Sequence, residues 1–304
     1  MRESSLSRST NRRRVLALAA VAAGSVMTPM AARALPATPA AAAPASATPA
    51  ATPVATPAAT PLVATPVATA ACPRIIVPAY FPPGPEWERI IAAAPVVEYV
   101  ILNIHNGPGR EPDPAFQDVV RRAQAAGIKV LGYVYTDMAN ENAETLKQQI
   151  RDFQTWYRVD GIHLDGAQDD DWAIPYYRDI AQTIKVGGQP SQPGGEALPG
   201  VVMLNPGYTP DEGFMEFVDL AEVYEYYYGH YLTQEFPGWL HDYPADRFLH
   251  VVRDVPDTIQ ALDQILDLAR QRNAGYVYIT DHTDPLDYKK LPSFWDAQVA
   301  SLCS

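Results

Sequence analysis

The stretch VDGIHLD, Val159 to Asp165, decides the fold. It is a short apolar run that ends on a carboxylate. It follows an amphipathic stretch, 143–157, whose apolar residues recur at three- and four-residue spacing. Alternation along a strand puts Gly161, His163 and Asp165 on one face. The same unit recurs on either side. Apolar runs at 75–80, 99–104, 129–135, 161–165, 201–205, 220–225, 248–252 and 276–280 predict strands, and helical patterns such as 115–126, 143–157 and 257–272 fall between them. Eight such repeats predict an α/β fold, a closed (β/α)₈ barrel of the TIM type. The alternative, an open doubly wound sheet, lacks its signature. The first strand runs into Phe81-Pro82-Pro83-Gly84-Pro85 rather than a glycine-rich phosphate loop.

A barrel of this kind concentrates its chemistry at the C-terminal ends of its strands, where side chains open onto one face. Those ends read Tyr80, His105 with Asn106, Asp137, Asp165, Asn205, Glu225, Arg253 with Asp254, and Asp281 with His282. Polar residues close nearly every apolar run, and a carboxylate buried there is costly unless it is paired or used. Asp165 and Glu225 end strands two apart, which feed the same layer of a barrel, so both carboxyls are expected over one cleft. Such a pair suits glycoside hydrolysis. One group protonates the leaving oxygen while the other attacks or activates water. Plainer roles exist for each: loop amides for Asp165, an ion pair with Arg253 for Glu225. Which carboxylate is the acid stays open.

Aromatic residues cluster after both carboxylates. Tyr226, Tyr227, Tyr228 and Tyr231 follow Glu225, and Trp172, Tyr176 and Tyr177 follow Asp165. Rings on a cleft rim stack on the C–H faces of sugars, although Tyr176 and Tyr177 read better as packing between helix and barrel. The residues expected to contact a glycan are Tyr80, His105, Asn106, Asp137, Asn205, Tyr226, Tyr228 and Asp281. A metal site built from His105, Asp165 and His282 is disfavoured, because the HxxH or HxxxH spacing of helical metal sites is missing. No cofactor is expected.

The chain resembles the spherulin-4 (spherulation-specific) family from about residue 75 to 280. The marks are Ile76-Val77-Pro78-Ala79-Tyr80 with Trp87, Ile101-Leu102-Asn103 with Gly107-Pro108-Gly109, and Val130-Leu131-Gly132-Tyr133-Val134. They continue with Trp156-Tyr157, Val159-Asp160-Gly161-Ile162, Leu164-Asp165, Asn205-Pro206-Gly207 and Glu225. The resemblance implies a barrel acting as an endo-glycosidase on α-linked, N-acetylgalactosamine-containing exopolysaccharide, with carboxylates at Asp165 and Glu225. One departure stands out: the family usually reads Leu-Asp-Glu where this chain has Leu164-Asp165-Gly166. A catalytically weakened, glycan-binding barrel at the cell surface is the alternative that this glycine raises.

Charge and composition place the barrel within the 304 residues. The first 34 carry six Arg and one Glu, which leaves a net −17 for the rest of a chain whose total is −12. So acidic a body repels phosphate backbones, which excludes nucleic acid as the expected partner. Residues 1–34 read as an export signal: Arg12-Arg13-Arg14 precedes the apolar run 15–26, and Ala32-Arg33-Ala34 is a cleavage-like site. Residues 35–71 form an uncharged Ala/Thr/Pro linker with eight of the 29 prolines, a composition that favours an extended stalk. The folded domain then spans 72–304, expected as a secreted or cell-surface monomer with no transmembrane segment. Its only cysteines, Cys72 and Cys303, bracket it and predict a disulfide.

Overall fold

The computed structural model describes residues 72–187, 200–283 and 288–302. The expected export signal and linker lie outside these residues. So does Cys303, the expected partner of the exposed Cys72.

Eight parallel strands close into a barrel in sequence order: β1 (Arg74–Ala79), β2 (Val97–Leu102), β3 (Lys129–Tyr135), β4 (Gly161–Asp165), β5 (Val201–Asn205), β6 (Leu220–Tyr227), β7 (Phe248–Arg253) and β8 (Tyr276–Ile279). The helices are α1 (Pro85–Ala92), α2 (Pro114–Ala125), α3 (Ala143–Trp156), α4 (Ile174–Val186), the single turn α5 (Tyr228–Tyr231), α6 (Ile259–Gln271) and α7 (Trp295–Leu302). The strands are nearly continuous Val/Ile/Leu runs because helices cover one face and packed side chains the other. The strands β3, β4 and β5 begin and end where the sequence predicts; the others differ by a residue or two, as end fraying allows.

Local chemistry explains the helix starts. Asp113 accepts a hydrogen bond from the Ala115 amide and Pro114 opens α2, whose lone missing N–H is one the helix leaves unpaired anyway. Asn142 caps α3 through the amides of Glu144 and Thr145. Leu146, Ile150 and Phe153 then form the buried face of α3. Phe153 lies against β3 at Gly132, where a Cβ would come within 2.5 Å of its ring. That missing side chain lets α3 approach the barrel closely.

Register determines which side chains share a layer. Tyr135, Asp165 and Asn205 are paired across β3, β4 and β5, and Tyr133, His163 and Met203 form the row beneath them. Between Glu222 and Tyr224 the pairing of β6 with β7 shifts by one. Such a bulge re-aims side chains. Here it lets Glu222 and Glu225, three residues apart, both turn toward the barrel axis.

Candidate active site

The strand ends of β4, β5 and β6 meet at one amide. Asn205 accepts a hydrogen bond from the Gly207 N–H on its oxygen, 2.7 Å, which leaves its NH₂ group for the carboxylates. That group donates to Asp165 Oδ1 at 2.9 Å and to Glu225 Oε2 at 2.8 Å. Each carboxylate has one further neutral donor on its other oxygen. Tyr133 donates to Asp165 Oδ2 at 2.6 Å, and Tyr288 donates to Glu225 Oε1 at 2.5 Å. Tyr80 closes the group from β1, its ring edge-on to Tyr133 and Tyr288 at 5.2 and 5.3 Å. Both carboxylates remain half-buried, open to the mouth of the barrel.

Burial and charge act strongly on Glu225. Burial first, and the charge of Asp165 second, push the Glu225 carboxyl above the usual glutamate range, against the bonds from Tyr288 and Asn205 and the field of Arg253. Burial and the neighbouring carboxylates likewise hold the hydroxyls of Tyr80 and Tyr288 protonated. One layer down, Glu222 Oε2 lies 3.5 Å from His163 Nε2, and both side chains are almost wholly buried. Burial, then the charges of Glu225 and Asp165, push Glu222 well above the ordinary range, and burial brings His163 down to about 4. The pair is therefore neutral, a carboxylic acid beside an imidazole under the floor of the cleft.

The expected glycan contacts are distributed unevenly. Asn205 and Tyr80 belong to the carboxylate centre. Tyr226 is exposed at the end of β6, edge-on to His230. Asp137 is exposed after β3 and accepts from Tyr135 at 3.4 Å. His105 and Asn106 line a groove of about 920 Å³ that runs along 104–114 to Gln149 and Asp152 of α3; none of Asp165, Asn205 and Glu225 lines it. Tyr228 packs toward the outer helical layer, donating to Gln264 of α6, because β6 ends at Tyr227 and the turn α5 carries the chain outward. Tyr231 is fully buried and bonded to His250. Asp281 accepts from the Ser293 amide and ties down the segment after β8. Tyr177 is core, as its place between helix and barrel suggested, and its hydroxyl meets Thr136.

Three participants escaped the sequence reading. Tyr133 sits two residues before a strand end, at the parity that alternation assigns to the interior, and that signal was available. Glu222 required knowledge of the bulge. Tyr288 approaches from 63 residues beyond Glu225 with no periodic pattern around it.

Residues 74–302 match the spherulation-specific family 4. The chain belongs to that family. Over 185 residues it is 28% identical to spherulin-4 of Physarum polycephalum, covering 59% of this chain and 52% of the relative, so it spans about half that protein's length. Among solved structures, Sph3 of Aspergillus clavatus in complex with GalNAc superposes with a TM-score of 0.66 at 23% identity, over 77% of this chain and 98% of that one. A chitinase of Rhizomucor miehei matches at 10% identity with a TM-score of 0.47, over 76% of this chain and 99% of the other. The family and the fold thus agree with the barrel that the sequence predicts. Among the described residues no helix is long and apolar enough to cross a membrane.

Proposed function

We propose that this protein is an exported endo-acting glycoside hydrolase of amino-sugar exopolysaccharide, of the N-acetylgalactosamine type, with Asp165 and Glu225 as its catalytic pair. The observation that carries the reading is the shared amide. Two carboxylates from different strands accept from one Asn205 NH₂ group, each steadied by a tyrosine rather than cancelled by a cation. Such an arrangement holds two acids at a fixed separation without neutralising either. Two carboxyls held side by side with no cation between them disfavour each other's charge, a cost that a purely structural role does not require.

The environment supports a division of roles. Glu225, whose burial and anionic neighbour favour the protonated form, is the general acid. Asp165 is the nucleophile. With both acceptors bonded to one nitrogen, their nearest oxygens lie within about 6 Å of each other, short of the roughly 6.5–9.5 Å that an inverting pair needs for an intervening water. In the first step Asp165 attacks the anomeric carbon, the glycosidic C–O bond breaks, and the Glu225 proton passes to the departing oxygen. In the second, Glu225 takes a proton from water, whose oxygen attacks the same carbon and releases Asp165. The anomeric configuration is retained. The binding of GalNAc by Sph3 and the membership of this chain in the family support an amino sugar as the ring recognised.

The test is incubation of the purified protein with α-linked N-acetylgalactosamine polymer, followed by mass analysis and proton NMR of the first-formed anomer. Release of oligosaccharides with retained configuration is expected. Tight binding without release makes the protein a glycan-binding barrel and overturns the hydrolase reading.

A further inference from the structure

Large exposed hydrophobic side chains are not scattered over the described surface. Apart from Val186 and Ile259 they are Tyr135, Met138, Trp172, Tyr208 and Tyr226, and these follow or end β3, β4, β5 and β6, the strands that surround the carboxylates. An apolar rim confined to one face marks a binding surface. Within it, Tyr135 is built in by an unusual device.

Tyr135 is the strand neighbour of Asp165 and lies two residues beyond Tyr133, which holds that aspartate. Its ring lies over Gly166. A Cβ at that position would stand 2.4 Å from Tyr135 Cε2 and 3.0 Å from Cδ2. Gly166 also has φ +57°, a left-handed conformation that other residues adopt at a cost. The ring of Tyr135 and a side chain at 166 therefore exclude each other. The chain beyond the ring is constrained as well. Asp137, Met138 and Ala139 are all left-handed, with φ of 48°, 55° and 66°, at a cost of roughly 1–2 kcal/mol per residue. The turn is held to the same two carbonyls: the Thr136 amide donates to Asp165 O at 2.8 Å and the Met138 amide to Gly166 O at 2.7 Å. The Thr136 hydroxyl lies 3.0 Å from both. Strain tolerated in this way collects where function requires a fixed shape.

We propose that Tyr135, seated on Gly166, is a specificity-determining residue of the cleft, a platform on which the sugar ring beside the scissile bond stacks its C–H face. The inference deepens the proposed hydrolase reading and rests on it. A tyrosine face suits a neutral hexosamine ring, since it offers area without charge. Its hydroxyl, directed at Asp137, stays at the rim. Glycine at 166 is the condition for the platform, and the left-handed turn fixes the height of the chain that carries it.

Binding and turnover separate this idea from the hydrolase reading. In an Asp165→Asn background, which removes chemistry, affinity for a hexamer of α-linked N-acetylgalactosamine is measured by calorimetry. Tyr135→Ala is expected to weaken it by about tenfold and Tyr135→Phe to leave it within about twofold, since the ring face carries the contact. Gly166→Ala is expected to reproduce the loss by lifting the ring, and to add little once Tyr135→Ala is present. In the active enzyme, Tyr135→Ala is expected to raise KM more than it lowers kcat. Unchanged affinity in Tyr135→Ala, absence of hexamer binding by the parent, or fully additive losses in the double variant would each overturn the platform. A hexamer that binds through Tyr135 but is never cut would leave the platform standing and remove the hydrolase. Should Gly166→Ala fail to fold, the Tyr135→Ala and Tyr135→Phe pair still decides.

Discussion

Strand β4 is bracketed by Asp160 just before it and Asp165 at its end, and β6 carries a similar pair, with Asp219 just before it and Glu225 two residues short of its end. At the lower end, Asp160 accepts from the Val130 amide at 2.8 Å and from Gln124 at 3.0 Å. Asp219 accepts from the Val202 amide at 2.7 Å and pairs with Lys185. Both stitch one strand to the backbone of its neighbour. Glu98, at the start of β2, is likewise matched by Arg74, Lys129 and the Tyr276 hydroxyl. At the upper end, Asp165 and Glu225 bond to tyrosine hydroxyls and to one shared side-chain amide. The lower acids are used up by backbone and cations. The upper ones are oriented by neutral donors and left without a paired cation, in keeping with the division between the two faces of such barrels.

That contrast can be broken by substitution. The largest effect is expected at the upper end. Asp165→Asn and Glu225→Gln should each lower turnover on the polymer by at least about 10²–10⁴-fold, with the thermal midpoint within about 3 °C of the parent. Near-parental turnover in either variant would remove that residue from the mechanism. Asn205→Ala should follow, losing roughly 10²-fold in kcat as the two acids drift out of mutual alignment. Retained kcat would show that the tyrosines alone suffice to position them.

The lower end should respond in the opposite currency. Asp219→Ala should leave kcat within about twofold while costing about 1–3 kcal/mol in chemical denaturation, since it strands the buried Val202 amide. A large loss of turnover in a fully folded Asp219→Ala protein would erase the contrast. The smallest effect concerns pH. A general acid works in its protonated form, so kcat/KM should fall as pH rises through the raised Glu225 value. Removing a bond that favours the charged form raises that value further. Tyr288→Phe should therefore move the alkaline limb upward, as read from the kcat/KM profile; a downward shift would reverse the assignment of acid and nucleophile.

The barrel was legible because its strands are β-branched apolar runs that stop on polar residues, a pattern local to a handful of positions. Asp165 and Asn205 were legible for the same reason: strand ends in register. The expected pairing of Glu225 with Asp165 came from position alone, and the sequence carried no sign of the bulge that also turns Glu222 inward. His105 and Asn106 ended strand β2 by the same logic, but the chain leaves the barrel early at Leu102 and takes them to a groove lined by the loop and α3. The seating of Tyr135 on Gly166 depends on a φ angle and a ring position, neither of which a one-dimensional pattern records.

The arrival of Tyr288 at Glu225 has a consequence for biosynthesis. The glutamate emerges from the ribosome well before the hydroxyl that steadies it, which belongs to the segment after the last strand. A nascent chain stopped at β7 would hold both acids and the bridging amide yet lack the hydroxyl that bonds Glu225, so the proposed catalytic pair is complete only once the segment beyond β8 has been made.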